Sequence, residues 1–211
     1  VIDYNGFISG ANMQKLHAYF AFKYGITLDQ SSATTGNYVI SDNTVVWTRD
    51  NNTGYGYYIA GLGKDATGNL DTKQAMAVND YDNMVNISSE PIISAGALQQ
   101  TNKANTATLV DKAFMLWGRS NGAAILSGTI TITGGTAYKD GRRSNRIWKV
   151  QNTNNFSQIL NIEIPRSSIS PADAGCNGYK LLVSSDPSFP ATSATTEFPV
   201  TVANSIISGR G

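Results

Sequence analysis

The sequence predicts a mostly β fold: an antiparallel β-sandwich with one N-terminal α-helix. Three observations predict it. Short runs rich in β-branched and aromatic residues recur from about residue 38 onwards, separated by Gly, Asn, Asp and Ser, the pattern of many brief strands joined by turns. Two runs alternate strictly, Thr129-Ile130-Thr131-Ile132-Thr133 and Leu160-Asn161-Ile162-Glu163-Ile164, so each has a wet face and a buried face. Helical spacing is confident in a single stretch, near the start.

Taken in order, residues 1–4 (Val-Ile-Asp-Tyr) read as a short strand closed by the turn pair Asn5-Gly6. From Gly10 to Tyr24, the residues Met13, Leu16, His17, Phe20 and Tyr24 fall at i, i+3, i+4, i+7 and i+11, one stripe on a helix. Ser9 suits the N-cap, and Gly25 suits the left-handed residue past the end. Met13, Leu16, Phe20 and Tyr24 are expected to pack this helix onto the sandwich. A polar connector leads to runs at 38–40 and 45–47. Residues 45–71 organise the rest: two apolar strands joined by a turn, ending in an Asp-containing loop, with 114–118 and 146–150 as their later sheet partners. Trp47, Trp117 and Trp148 all sit in these runs, which are therefore expected to form the sheet core. Further strands are expected at 84–87, 124–132, 159–164, 179–183 and 198–207, while 95–110 fits either a surface loop or a short helix. Residues 1–29 form a strand and helix packed on the main domain and 30–211 form the sandwich, with a subdivision allowed near 165, where Pro165 stops a strand.

Charged residues make up 15% of the 211-residue chain, against roughly 25% in an average soluble domain. Asn, Thr, Ser and Gly take their place. The net charge is +1, and the basic residues are scattered apart from Arg142, Arg143 and Arg146, so no nucleic-acid footprint is visible. The single cysteine, Cys176, excludes an internal disulfide and a multi-cysteine zinc site. No apolar run approaches the ~20 residues of a membrane helix. The start at Val1 and the linker-like Ser208-Gly209-Arg210-Gly211 read as a processed product or a segment of a longer chain. This composition fits a secreted bacterial surface protein.

Candidate sites are few. Asp65, Thr67, Asn69 and Asp71 stand at alternate positions, as oxygen ligands do in the first half of a calcium loop. Leu70 occupies the place of the loop's glycine, and Met76 the place of its closing glutamate, so a plain turn is expected and calcium is the alternative. Asp80, Asp82 and Asn83 form a weaker second cluster. His17, the sole histidine, lies on the apolar stripe, where a packed role is expected, and no orienting partner for a catalytic triad is evident. The glutamates are Glu90, Glu163 and Glu197, and Glu163 is on the outward face of its strand, so no glycosidase carboxylate pair stands out. No enzyme and no cofactor are expected. Gly61-Leu62-Gly63-Lys64 is not a phosphate loop, because no helix pattern follows and the Gly-Lys-Ser/Thr ending is absent. Tyr55 and Tyr57, on one face of a strand if alternation holds, suggest a sugar-stacking platform, against the plainer reading of cross-strand packing.

The run from Met13 to Asp29, Met-Gln-Lys-Leu-His-Ala-Tyr-Phe-Ala-Phe-Lys-Tyr-Gly-Ile-Thr-Leu-Asp, resembles a segment that follows a concanavalin A-like (laminin-G-like) domain in large secreted surface and adhesin proteins of Bacteroidota. Val1-Ile2-Asp3-Tyr4-Asn5 is similar to the last strand of that domain. Val45-Val46-Trp47, Ile59 through Asp65 with Lys73-Gln74, Leu116-Trp117-Gly118, Arg146 through Gln151, and Leu182 through Asp186 resemble later parts of the same module, in the same order. These are packing motifs and bring no catalytic residue with them. The resemblance implies a non-catalytic, extracellular β module of an adhesin-like or filamentous surface protein exported by type IX secretion. Its expected partners are neighbouring modules of the same chain or filament. Residues 1–4 and 198–207 are the strands expected to join them by strand addition. Surface glycans are the alternative partner, and neither nucleic acid nor a membrane span is expected.

Overall fold

The computed structural model describes residues 8–79, 90–122, 126–129, 142–165, 179–189, 195–203 and 206–210. The strands expected at 1–4 and 84–87, most of 124–132, and the Asp80, Asp82, Asn83 cluster lie outside these residues. The elements are α1 (Gly10–Tyr24), α2 (Ala33–Gly36), β1 (Tyr38–Val39), β2 (Val45–Trp47), β3 (Tyr57–Asp65), β4 (Leu70–Thr72), β5 (Gln74–Ala75), β6 (Ile92–Ala95) and β7 (Phe114–Arg119). They continue with β8 (Leu126–Thr129), β9 (Arg142–Ser144), β10 (Trp148–Thr153), β11 (Leu160–Pro165), β12 (Lys180–Ser184), β13 (Thr195–Ala203) and β14 (Ile206–Arg210).

A four-stranded sheet in the order β10-β7-β3-β4 faces a six-stranded sheet in the order β12-β13-β14-β11-β6-β5, and the pairs β1-β2 and β8-β9 form separate ribbons. Every pairing between these strands is antiparallel. The expected antiparallel sandwich with one long N-terminal helix is therefore present. The central strands of the four-stranded sheet, β3 and β7, are buried on both faces. Ile59, Phe114 and Leu116 pack on Ala18, Ala21 and Phe22 of α1 together with Tyr38, Val46 and Trp47. Ala60, Leu62, Met115 and Trp117 point the other way, onto Ile93, Ala95, Leu160 and Ile162 of the six-stranded sheet. This is why β3 and β7 read as unbroken apolar runs, where a strand with one wet face alternates.

The pairing of β3 with β7 and of β7 with β10 follows the sequence expectation. Residues 45–62 do not form a hairpin, however. β2 pairs with β1, and the chain crosses through a 3₁₀ turn at Asp50–Asn52 to reach the other layer. Tyr58 sits at φ 51° where the β3–β7 register shifts, a bulge that re-aims the strand start. In 95–110, Ala95 ends β6 and the residues after it are turn and coil, without a helix. In the region 198–207, β13 meets β12 through 195–199 and β14 through 200–203, and β14 is paired on both sides, with β13 and β11. At β14, pairing within the domain has used the hydrogen bonds that strand addition needs. The six-stranded sheet also crosses position 165 unbroken, since β11 pairs with β6 before it and β14 after it.

The helix starts and stops where expected. Ser9 Oγ accepts from Asn12 N at 3.4 Å, and Gly25 takes φ 65°. The buried face is not the expected stripe. Ala18, Ala21 and Phe22 are buried, while Met13 is 36% and Tyr24 52% exposed, and His17 faces outward with them. Small alanines let the helix axis come close to the sheet, and the sheet answers with glycines. A Cβ on Gly61 would lie 3.1 Å from Phe22 Cε1, and one on Gly63 would lie 2.0 Å from the Phe114 ring that it pairs with. Close approach, rather than side-chain size, selected the face. Phe20 and Tyr24 instead stack on each other outside, with ring centroids 6.0 Å apart.

Gly63→Val is expected to destabilise by about 1–3 kcal/mol through overpacking. Gly10→Ala, whose new Cβ would meet nothing within 4 Å, is expected to stabilise by about 0.5–1 kcal/mol. Urea unfolding of the two variants checks both signs.

Candidate functional site

Two buried charge clusters stand out among the described residues. The first closes the end of β3. Asp65 is 3% exposed. Its Oδ2 accepts from Ser41 N at 2.8 Å, and its Oδ1 accepts from Ser41 Oγ at 2.7 Å, from Gly68 N at 3.0 Å and from the Lys112 ammonium. Lys112 Nζ also donates to Ser41 Oγ at 2.7 Å and lies 3.9 Å from Asp42. Burial pushes the Asp65 carboxyl up, but Lys112, Ser41 and Gly68 outweigh it and hold it at about 2. Burial likewise lowers Lys112, and Asp65 more than reverses this to leave it raised.

This geometry bears directly on the calcium reading. Asp65 pairs with Leu70 across the turn 66–69. Its carboxylate points inward, while Thr67, Asn69 and Asp71 lie exposed on the other side. Asn69 takes the left-handed conformation at φ 53°, and Asp71 pairs with Lys73 at 3.7 Å. Asp65 is buried while the other three are exposed, and an ammonium already occupies the cation position at Asp65. Among the described residues no group of three or more His, Cys, Asp or Glu side chains is placed to hold a metal ion.

The second cluster joins the two sheets. Glu90, 1% exposed just ahead of β6, accepts from Arg119 Nε at 2.9 Å; Arg146 Nη1 lies 3.5 Å and Trp148 Nε1 3.4 Å from its carboxylate. The Arg119 guanidinium also lies 4.3 Å above the Tyr58 ring. Burial raises the Glu90 pKa despite both arginines. Sequence reasoning named Glu90 only as an available glutamate and did not single out Lys112 or Arg119. The readable signal was a charge set against an apolar run: Glu90 and Pro91 before Ile92, and Arg119 closing Phe114–Arg119. Arg146 turns inward to this cluster and so adds nothing to a surface patch with Arg142 and Arg143.

Tyr55 and Tyr57 do not share a platform. Tyr55 precedes β3, so strand alternation does not extend to it, and Lys149 Nζ lies 5.7 Å from its ring. Lys149 pairs with Gly118, on the helix side of the sheet, where a Gly118 Cβ would meet Trp47 and Ile59. Tyr57 pairs with Arg119 and packs on the opposite core. His17 is exposed, in contrast to its expected packing, and has no hydrogen bond to a described residue. No described helix is long and apolar enough to cross a membrane.

A family model described as "Domain of unknown function (DUF8202)" matches residues 12–209. No curated protein and no solved structure matches the chain.

Because Asp65 is held at about 2, below the ~3.9 of an unfolded aspartate, its contribution is complete above about pH 4. It is lost as pH falls through 2. Asp65→Asn is therefore expected to cost about 2 kcal/mol at pH 7 and progressively less below pH 4, as read from denaturant midpoints across that range. Chelator added to the native chain is expected to leave the melting temperature unmoved, since calcium at Asp65 would first have to displace Lys112.

Proposed function

We propose that this chain, which belongs to the DUF8202 family, is a non-catalytic structural or adhesive module of an extracellular bacterial cell-surface or filamentous protein. One observation carries the reading. The charged groups that burial has taken from water are spent on holding layers together: Asp65 and Lys112 tie the 41–42 turn to β3, and Glu90 with Arg119 and Arg146 ties sheet to sheet. An active site needs a nucleophile, base or acid that faces a substrate, and these groups face each other. The composition agrees with this: 15% charged residues and one cysteine suit a surface module solvated by amides and hydroxyls.

Neighbouring modules of the same chain or filament are the partners this reading requires. They would meet surfaces other than β14, which is paired on both sides. The alternative carbohydrate reading, which rests on the Tyr55/Tyr57 pair and the Asn-rich loops, loses the pair and keeps the loops.

Antibodies raised against the 211-residue chain test the location. Labelling of intact cells of the bacterium that encodes it, and release by brief external protease, are the expected results. Signal confined to permeabilised cells would overturn the reading.

A further inference from the structure

A recess of about 420 Å³ opens beside the ends of β6 and β11, within the roughly 300–1,000 Å³ range of small-molecule sites. Gln99, Asn105, Thr106, Ser157, Gln158 and Ile159 line it, and no lining residue is charged. Its frame is fixed. Asn105, buried at the floor, donates to Ala95 O at 3.1 Å and accepts from Ala107 N at 2.9 Å. The Gln74 amide clasps the backbone of Gln99 from both sides, at 2.7 and 3.1 Å. Gly96 N donates to Ile159 O at 2.9 Å and closes the rim.

On this frame stand groups with spare hydrogen-bonding capacity. The Gln99 side-chain amide and the hydroxyls of Thr106 and Ser157 are on exposed residues and make no hydrogen bond within the described protein. Gln158 donates to Thr108 O at 3.2 Å, which leaves its oxygen to accept. Beside them Ile159 presents an aliphatic wall, 58% exposed. Amides and hydroxyls both donate and accept, as sugar hydroxyls do. An uncharged lining offers no ion pair to an anionic or cationic ligand, and an aliphatic wall matches the C–H face of a pyranose. We propose that this recess is a saccharide-binding subsite for a neutral hexose or N-acetylhexosamine unit. It extends the adhesive reading and does not depend on the two tyrosines.

Titration of the ¹⁵N-labelled chain with N-acetylglucosamine, galactose and mannose tests it. Saturable amide shifts are expected at Gly96, at 105–107 and at 157–159 with at least one of these sugars. Thr106→Val with Gln158→Ala should weaken the apparent affinity about tenfold or more, while Tyr57→Ala leaves it unchanged. If the double variant loses its dispersed spectrum, Ser157→Ala takes its place. No saturable shift at these residues with any of the three sugars overturns the site, as does undiminished binding by the variants. A blank titration leaves the structural module standing, whereas intracellular labelling would remove that reading whatever the titration shows.

Discussion

The β3–β7 pairing is the constraint from which the rest of the structure follows. Its six residues from Phe114 to Arg119 are all buried, and Gly63, Leu62, Gly61 and Ala60 meet Phe114, Met115, Leu116 and Trp117 in register. A strand pair apolar on both faces must be covered on both faces, so a helix with a β-ribbon is needed on one side and a second sheet on the other. The glycines set how near the helix comes. Phe22 reaches over Gly61 to within 5.1 Å of the Phe114 ring centroid and 5.5 Å of Tyr38. Burying Phe22 alone is worth about 1.5–3 kcal/mol, which is lost if the sheet cannot be approached.

The remaining ties serve that arrangement. Tyr38 Oη accepts from Leu28 N at 3.1 Å and donates to Ile26 O at 3.2 Å, which holds the segment after the helix against the ribbon. Burial pushes this phenol well above its usual range, so it stays a donor. Thr27 Oγ1 donates to Asn79 O at 2.7 Å and accepts from Ile59 N at 2.9 Å, bridging the helix exit to β3. The two ionic clusters close the far ends. A buried pair is weak evidence for net stability, but removal of one partner strands the other charge. These clusters therefore fix which layer meets which more than they strengthen the fold.

How much of this was legible depends on what each signal measures. Apolar runs report burial, and they located β3 and β7 because two-sided burial leaves few polar residues to confuse the pattern, while β10 was marked by its Trp148. Caps are local, so Ser9 and Gly25 bounded the helix correctly. The facing of the helix was not legible, because the stripe of large side chains includes none of Ala18, Ala21 and Phe22, which make the contact. The strands β4, β5 and β6 are two to four residues long and carry too few side chains to alternate visibly. The separate placing of Tyr55 and Tyr57 was not legible, because alternation holds only inside a strand and Tyr55 precedes β3. The role of Asp65 was not legible, because oxygen spacing is the same whether a carboxylate faces solvent or an ammonium brought from 47 residues away. The recess was illegible for the same reason: its walls come from 96–107 and 157–159, and only the sheet register brings them together.

The shortage of charge then has a structural explanation. A side-chain amide carries one acceptor and two donors in a plane, much as the peptide group does, so it can stand in for backbone where a ladder ends. Asn102 accepts from Lys73 N at 2.6 Å and donates to the Asp71 carbonyl, which covers the outer side of β4 and β5. Asn152 makes the same reciprocal pair with Phe156, at 2.8 and 2.9 Å. Gln151 Oε1 accepts from Thr48 N at 3.1 Å and from Asn52 at 2.6 Å, joining β10 to the ribbon. Lysine on an exposed edge deters unwanted pairing by repulsion, which salt screens. An amide that completes the ladder deters it by leaving no donor or acceptor to pair with. That protection does not weaken with ionic strength.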